Sequence, residues 1–66
     1  MNKSKLQVKM LEENITVEEV CRACGFSKTA FYRKLNGQSE FTQREITAIK
    51  KLLNLDLETT GQIFNL

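Results

Sequence analysis

Gly25-Phe26-Ser27-Lys28-Thr29-Ala30-Phe31-Tyr32-Arg33-Lys34-Leu35-Asn36-Gly37 is the stretch that decides how this chain is read. Gly25 can take a left-handed backbone at little cost and so stops a preceding helix. Ser27 is a strong N-cap, and Asn36-Gly37 is a stop. At about 100° per residue, Lys28, Tyr32, Asn36, Thr29 and Arg33 fall within one arc of roughly 140°. Phe31 and Leu35, four apart, lie on the other side with Ala30 at the margin. The spacing predicts a short helix with one face for a core and one face of donors and a ring for the outside.

Just upstream, Thr16-Val17-Glu18-Glu19 is a capping box, with Ile15 before it and Val20 after it as a hydrophobic staple. A helix from about Val17 to Cys24 is expected, burying Val20, Cys21 and Cys24. Two short helices joined by a glycine-containing turn of about three residues make a helix-turn-helix. It spans residues 16–37.

Charge is concentrated on the same segment. Cys21 to Ser39 holds four bases (Arg22, Lys28, Arg33 and Lys34) and no acid. The rest of the chain holds six bases and eight acids, so the overall +2 conceals a basic segment on an acidic remainder. A polyanionic partner asks for that distribution.

Working outward, Asn2 to Glu13 reads as a first helix with Leu6, Met10 and Leu11 as its apolar stripe. Phe41-Thr42-Gln43-Arg44-Glu45-Ile46 repeats the box and staple, opening a fourth helix that buries Ile46, Ile49 and Leu53 with Leu52 nearby. Asp56 can cap a last short helix through Phe64, which Gly61 weakens. With no proline and three glycines in 66 residues, the expectation is an all-α single domain, residues 1–66, in a bundle of about five short helices.

A helix-turn-helix sets its helices at a wide angle, so that the second enters the major groove while the first crosses the backbone. Lys28 and Arg33 can donate to guanine O6 and N7, and Thr29 can bond a base or pack its methyl on thymine. Tyr32 and Asn36 suit phosphate or sugar, Arg44 suits the backbone, and the capped turn at Ser27 suits a phosphate. The candidate DNA-binding set is therefore Ser27, Lys28, Thr29, Tyr32, Arg33, Asn36 and Arg44. Its partner is double-stranded DNA.

Residues 15–37 resemble the helix-turn-helix of Cro-like and lambda-repressor-like phage regulators. In that pattern a small residue stands four before the turn glycine, an apolar one six after it, and Asn-Gly closes the second helix. Here those places hold Cys21, Gly25, Phe31 and Asn36-Gly37. The capped fourth helix and short last helix fit too, so the likeness covers nearly all of the chain. Residues 27–37 are similar in particular to small regulators of phages and prophages in Gram-positive bacteria. The resemblance implies a lambda-repressor-like fold and a transcriptional regulator, either a Cro-like repressor or a modulator of repression. Three places depart from the pattern: Val17 stands where glutamine is frequent, Cys21 where alanine is usual, and Lys34 where an apolar residue is common. Lys34 must then snorkel, or the end of the helix is rotated.

Other chemistries are poorly served. Cys21 and Cys24 sit three apart on the buried face of a helix; structural zinc needs four ligands, and the chain has no histidine and no further cysteine. Glu12-Glu13 and Glu18-Glu19 mimic paired catalytic carboxylates, but Glu19 serves a cap, and a general acid needs a cleft that raises its pKa. No enzyme, cofactor, metal or small-molecule substrate is expected. No apolar run suits a membrane span or a signal peptide, which points to the cytoplasm and reduced cysteines.

Two functions remain. One is a Cro-like repressor acting as a homodimer on a two-fold operator. The other is a module that binds a partner phage repressor and alters its DNA binding, using Phe26, Tyr32 and the terminal Ile63, Phe64 and Leu66. Those terminal residues equally suit packing on Leu6, Met10 and Leu53. No long dimerisation element is present, so a dimer is either small or forms on DNA.

Overall fold

Asn2, Thr16, Ser27, Thr42 and Asp56 each turn a side-chain oxygen onto the backbone N–H three residues ahead, and each begins a helix. The computed structural model describes residues 1–66 and contains α1 (Lys3–Glu12), α2 (Val17–Cys24), α3 (Lys28–Leu35), α4 (Gln43–Leu52) and α5 (Leu57–Phe64). There are no strands. The fold is all-α, with five helices and short connections.

Both predicted capping boxes form. Thr16 Oγ1 accepts from Glu19 N at 3.2 Å while Glu19 Oε1 accepts from Thr16 N at 3.0 Å. Thr42 and Glu45 repeat this at 3.2 and 2.9 Å. Each box satisfies two N–H groups that a helix start would leave without partners.

The stops are left-handed residues. Gly25 closes α2 at φ 78°, and its N–H donates to Cys21 O at 2.8 Å. Asn14 and Asn54 take the same conformation just beyond α1 and α4, and Asn65 caps α5. Gly61 does not break α5, which runs through it to Phe64. The first helix begins at Lys3, with Asn2 as its cap.

Eleven buried residues make the core: Leu6, Met10, Val20, Cys21, Cys24, Phe31, Leu35, Ile49, Leu53, Leu55 and Ile63. All five helices or their flanks contribute. Against α2 pack α3 and α4, while α5 packs on α1 and α4, so α3 is fastened along one side and open on the other. A run of rings lies under it. Phe26 in the turn, Phe31 in α3 and Phe41 before α4 lie 6.3–6.4 Å apart, centroid to centroid. Phe64 of α5 meets Phe41 edge-on at 5.4 Å. Tilted and edge-on contacts of this kind suit the ring quadrupole.

Burial decides, for Ile63, between the two readings of the terminal apolar residues. Ile63 is 0% exposed, because α5 turns it into the core against the other helices, so it cannot line an exposed patch. Phe64 and Phe26 are half-buried and pack on the core. Of the five residues expected for a partner surface, Tyr32 and Leu66 are open, at 46% and 72% exposure.

Candidate nucleic-acid interface

The open side of α3 is built by the register of its closed side. Phe31 and Leu35 are buried at 1% and 5% exposure, which turns Lys28, Thr29, Tyr32, Arg33 and Asn36 outward, all of them exposed. The end of α3 is therefore not rotated. Nor does Lys34 snorkel to water, since its side chain is only 13% exposed. Its ammonium sits 5.6 Å from the Phe26 ring centroid and 6.0 Å from that of Phe41, and reaches Glu45 Oε1 at 3.2 Å and Glu40 O at 3.0 Å. Lysine at an apolar position is accommodated because two aromatic faces and a carboxylate receive its charge. Burial pushes the Glu45 carboxyl up, but the Thr42 and Lys34 hydrogen bonds outweigh it and hold it below its ordinary value. That carboxylate thus caps α4 and fastens α3 to it.

The three cations of α3 differ in what they already hold. Lys34 is committed to Glu45. Lys28 is paired with Glu18 of α2 at 2.8 Å, both side chains more than half exposed. Their mutual hydrogen bond lowers the Glu18 carboxyl pKa and raises that of the Lys28 ammonium. Arg33 is in none of the ion pairs and makes no side-chain hydrogen bond. Its guanidinium, with five donors, faces outward uncommitted.

Around them, Ser27 Oγ accepts from Ala30 N at 3.1 Å, so its hydroxyl serves the helix start. The Tyr32 ring stands edge-on to Phe31 at 5.3 Å and is 46% exposed. At the far end of α3, Asn36 Oδ1 accepts from Lys3 Nζ at 3.1 Å. Arg44 is exposed in the first turn of α4. Basic groups thus flank α3 from α1 and α4.

A family model described as a Cro/C1-type HTH DNA-binding domain matches residues 5–59. This chain belongs to the Cro/C1-type helix-turn-helix family. The match runs from α1 into α5 and so includes every element that positions α3. Neither a curated protein nor a solved structure matches the chain.

A Cro/C1-type domain makes this a DNA-binding transcription regulator, with double-stranded DNA as its partner. The family is not one of enzymes. No helix is long and apolar enough to cross a membrane.

Two residues of this Cro/C1-type surface carry no signal in the sequence. Glu18 meets Lys28 ten positions on, across the turn, and Lys3 meets Asn36 from the other end of the domain. Neither separation is a helical one, so periodicity is silent about both. The cysteines are core. Cys21 and Cys24 are buried at 8% and 5% exposure, and burial first, then Glu45, pushes the Cys24 thiol up to about 11.

Proposed function

We propose that this protein is a sequence-specific repressor of Cro type, of the kind found in phages, which places α3 in the major groove of a two-fold operator. The observation that carries the reading is Arg33, the one cation of α3 without an intramolecular partner. Arg33 reads guanine through O6 and N7, and Thr29 discriminates a neighbouring base. Lys28 adds a second donor near the start of α3. Ser27, Tyr32, Asn36 and Arg44 hold phosphates and sugars, setting the register from which bases are read. Residues 1–66 act as one domain in the cytoplasm, and occlusion of polymerase is repression enough without a catalytic site.

Size supports two copies per operator. The molecule measures 27 × 23 × 20 Å, whereas successive major grooves on one face of DNA lie about 34 Å apart. One copy reaches one half-site.

Selection from randomised duplexes tests the reading. Wild type should enrich a two-fold sequence with a guanine in each half. Arg33→Ala should lose about 1–3 kcal/mol on that sequence and relax one position per half. Equal enrichment by both proteins would remove Arg33 from the groove.

The modulator reading keeps one observation in its favour. A groove of about 340 Å³ beside α3 is lined by Met10, Leu11, Ile15, Val17, Phe31 and Tyr32 among others, and Leu11 is 81% exposed. A partner repressor seated there would cover Tyr32. Such a modulator alone would bind DNA weakly and without sequence preference.

A further inference from the structure

We infer that Glu18 belongs to the DNA-facing surface as a built-in counter-charge, which neutralises Lys28 and holds down sequence-independent binding. The inference rests on the reading that α3 enters the groove. Lys28 is the first residue of α3 and Glu18 lies in the first turn of α2. Their 2.8 Å contact closes the outer edge of the helix-turn-helix. With more than half of each side chain exposed, the pair faces outward instead of serving the core. A carboxylate there works against a phosphate backbone.

The sequence-independent part of DNA binding is set by how many phosphates are neutralised, each adding about 0.9 to the slope of log K against log salt. A lysine already paired to an acid adds no net charge to that count. At the N-terminal edge of α3 the chain thus forgoes one phosphate, and with it part of its attraction to random sequence. The ammonium keeps a defined place beside the groove and has N–H groups left for a base, since it carries three. An ion pair this exposed contributes little to folding, so its effect belongs to the ligand and not to the fold.

The test is a salt titration of binding to a scrambled duplex, comparing wild type with Glu18→Gln. Glutamine should steepen the slope by about 0.9 and tighten binding by about 5-fold near 150 mM salt, the worth of one phosphate. Glu58→Gln is the control, removing an equal charge from α5, outside the helix-turn-helix. It should leave slope and affinity close to wild type. A Glu18→Gln protein with the wild-type slope and affinity, or one that gains no more than Glu58→Gln, overturns the inference while DNA binding by the wild type stands. Weaker binding by Glu18→Gln also overturns it, since the carboxylate would then be a DNA contact. A wild type whose binding has no salt slope ends both this inference and the placement of α3. Thermal melts of all three proteins show whether the variants fold alike.

Discussion

Lys34→Met separates the joint between α3 and α4 from the rest of the fold. Methionine keeps an unbranched apolar side chain but removes the ammonium that lies over the Phe26 and Phe41 rings and meets Glu45 at 3.2 Å and Glu40 O at 3.0 Å. Removing one partner of a fully buried ion pair costs about 3–5 kcal/mol, and of an exposed pair at most about 1 kcal/mol. Here both side chains are 13% exposed, and Glu45 still receives the Thr42 N–H at 2.9 Å. The cost should therefore fall between those limits, near about 2 kcal/mol. For a domain of this size that lowers Tm by about 8–16 °C. The double variant Lys34→Met, Glu45→Gln removes the charge left behind while keeping an acceptor for the Thr42 cap. It should recover about half of the loss, since the expense lies in the unpaired carboxylate more than in the missing bond. Circular-dichroism melts at pH 7 of wild type, single and double variants decide the matter. A single variant within about 2 °C of wild type would make the contact a surface pair of little consequence. A double variant no more stable than the single would show that no uncompensated charge is left in the joint.

Acid should destabilise the fold. Glu18, Glu45 and Asp56 have carboxyl pKa values lowered from 4.5, 4.5 and 3.8 respectively. The unfolded chain then takes up protons before the folded one does, so their contribution is complete above that range and lost as pH falls through the lowered values. Urea midpoints should be flat near neutrality and decline below about pH 4.5; midpoints that rise on acidification would contradict the assigned bonds. Gly25→Ala meets nothing within 4 Å of the added Cβ, so its cost is that of a left-handed alanine alone, about 1–2 kcal/mol. A melt showing a loss above about 4 kcal/mol would mean that the turn is crowded. Cys24, buried and with its thiol raised to about 11, should resist a thiol reagent at pH 8 until the protein unfolds. Rapid labelling of both cysteines in the native protein would deny their place in the core.

What the sequence made legible was mostly local chemistry. Thr16 with Glu19 and Thr42 with Glu45 announced their helices because a capping box is completed within four residues. Gly25 announced the turn because few other residues take a positive φ cheaply. The buried pairs Phe31 with Leu35 and Ile46 with Ile49 followed from helical spacing. Contacts between helices were less legible. Lys34 left two readings open because its acceptors, Glu45 and the Glu40 carbonyl, belong to a different element. Ile63 was indistinguishable from Leu66 in composition, and the packing of α5 on α1 and α4 separates them. For the candidate site, the outward set on α3 was readable from the helix period, while the commitments of Lys28 to Glu18 and Asn36 to Lys3 arise from tertiary proximity.

The measurement that bears most directly on the account is equilibrium binding to DNA from the regulator's own promoter region, against a scrambled duplex, at about 150 mM salt. The account predicts a preference of about 10³-fold or more with two subunits on each site. Equal affinity for both duplexes would contradict sequence-specific repression and leave the apolar groove beside α3, with a partner repressor, as the surface to pursue.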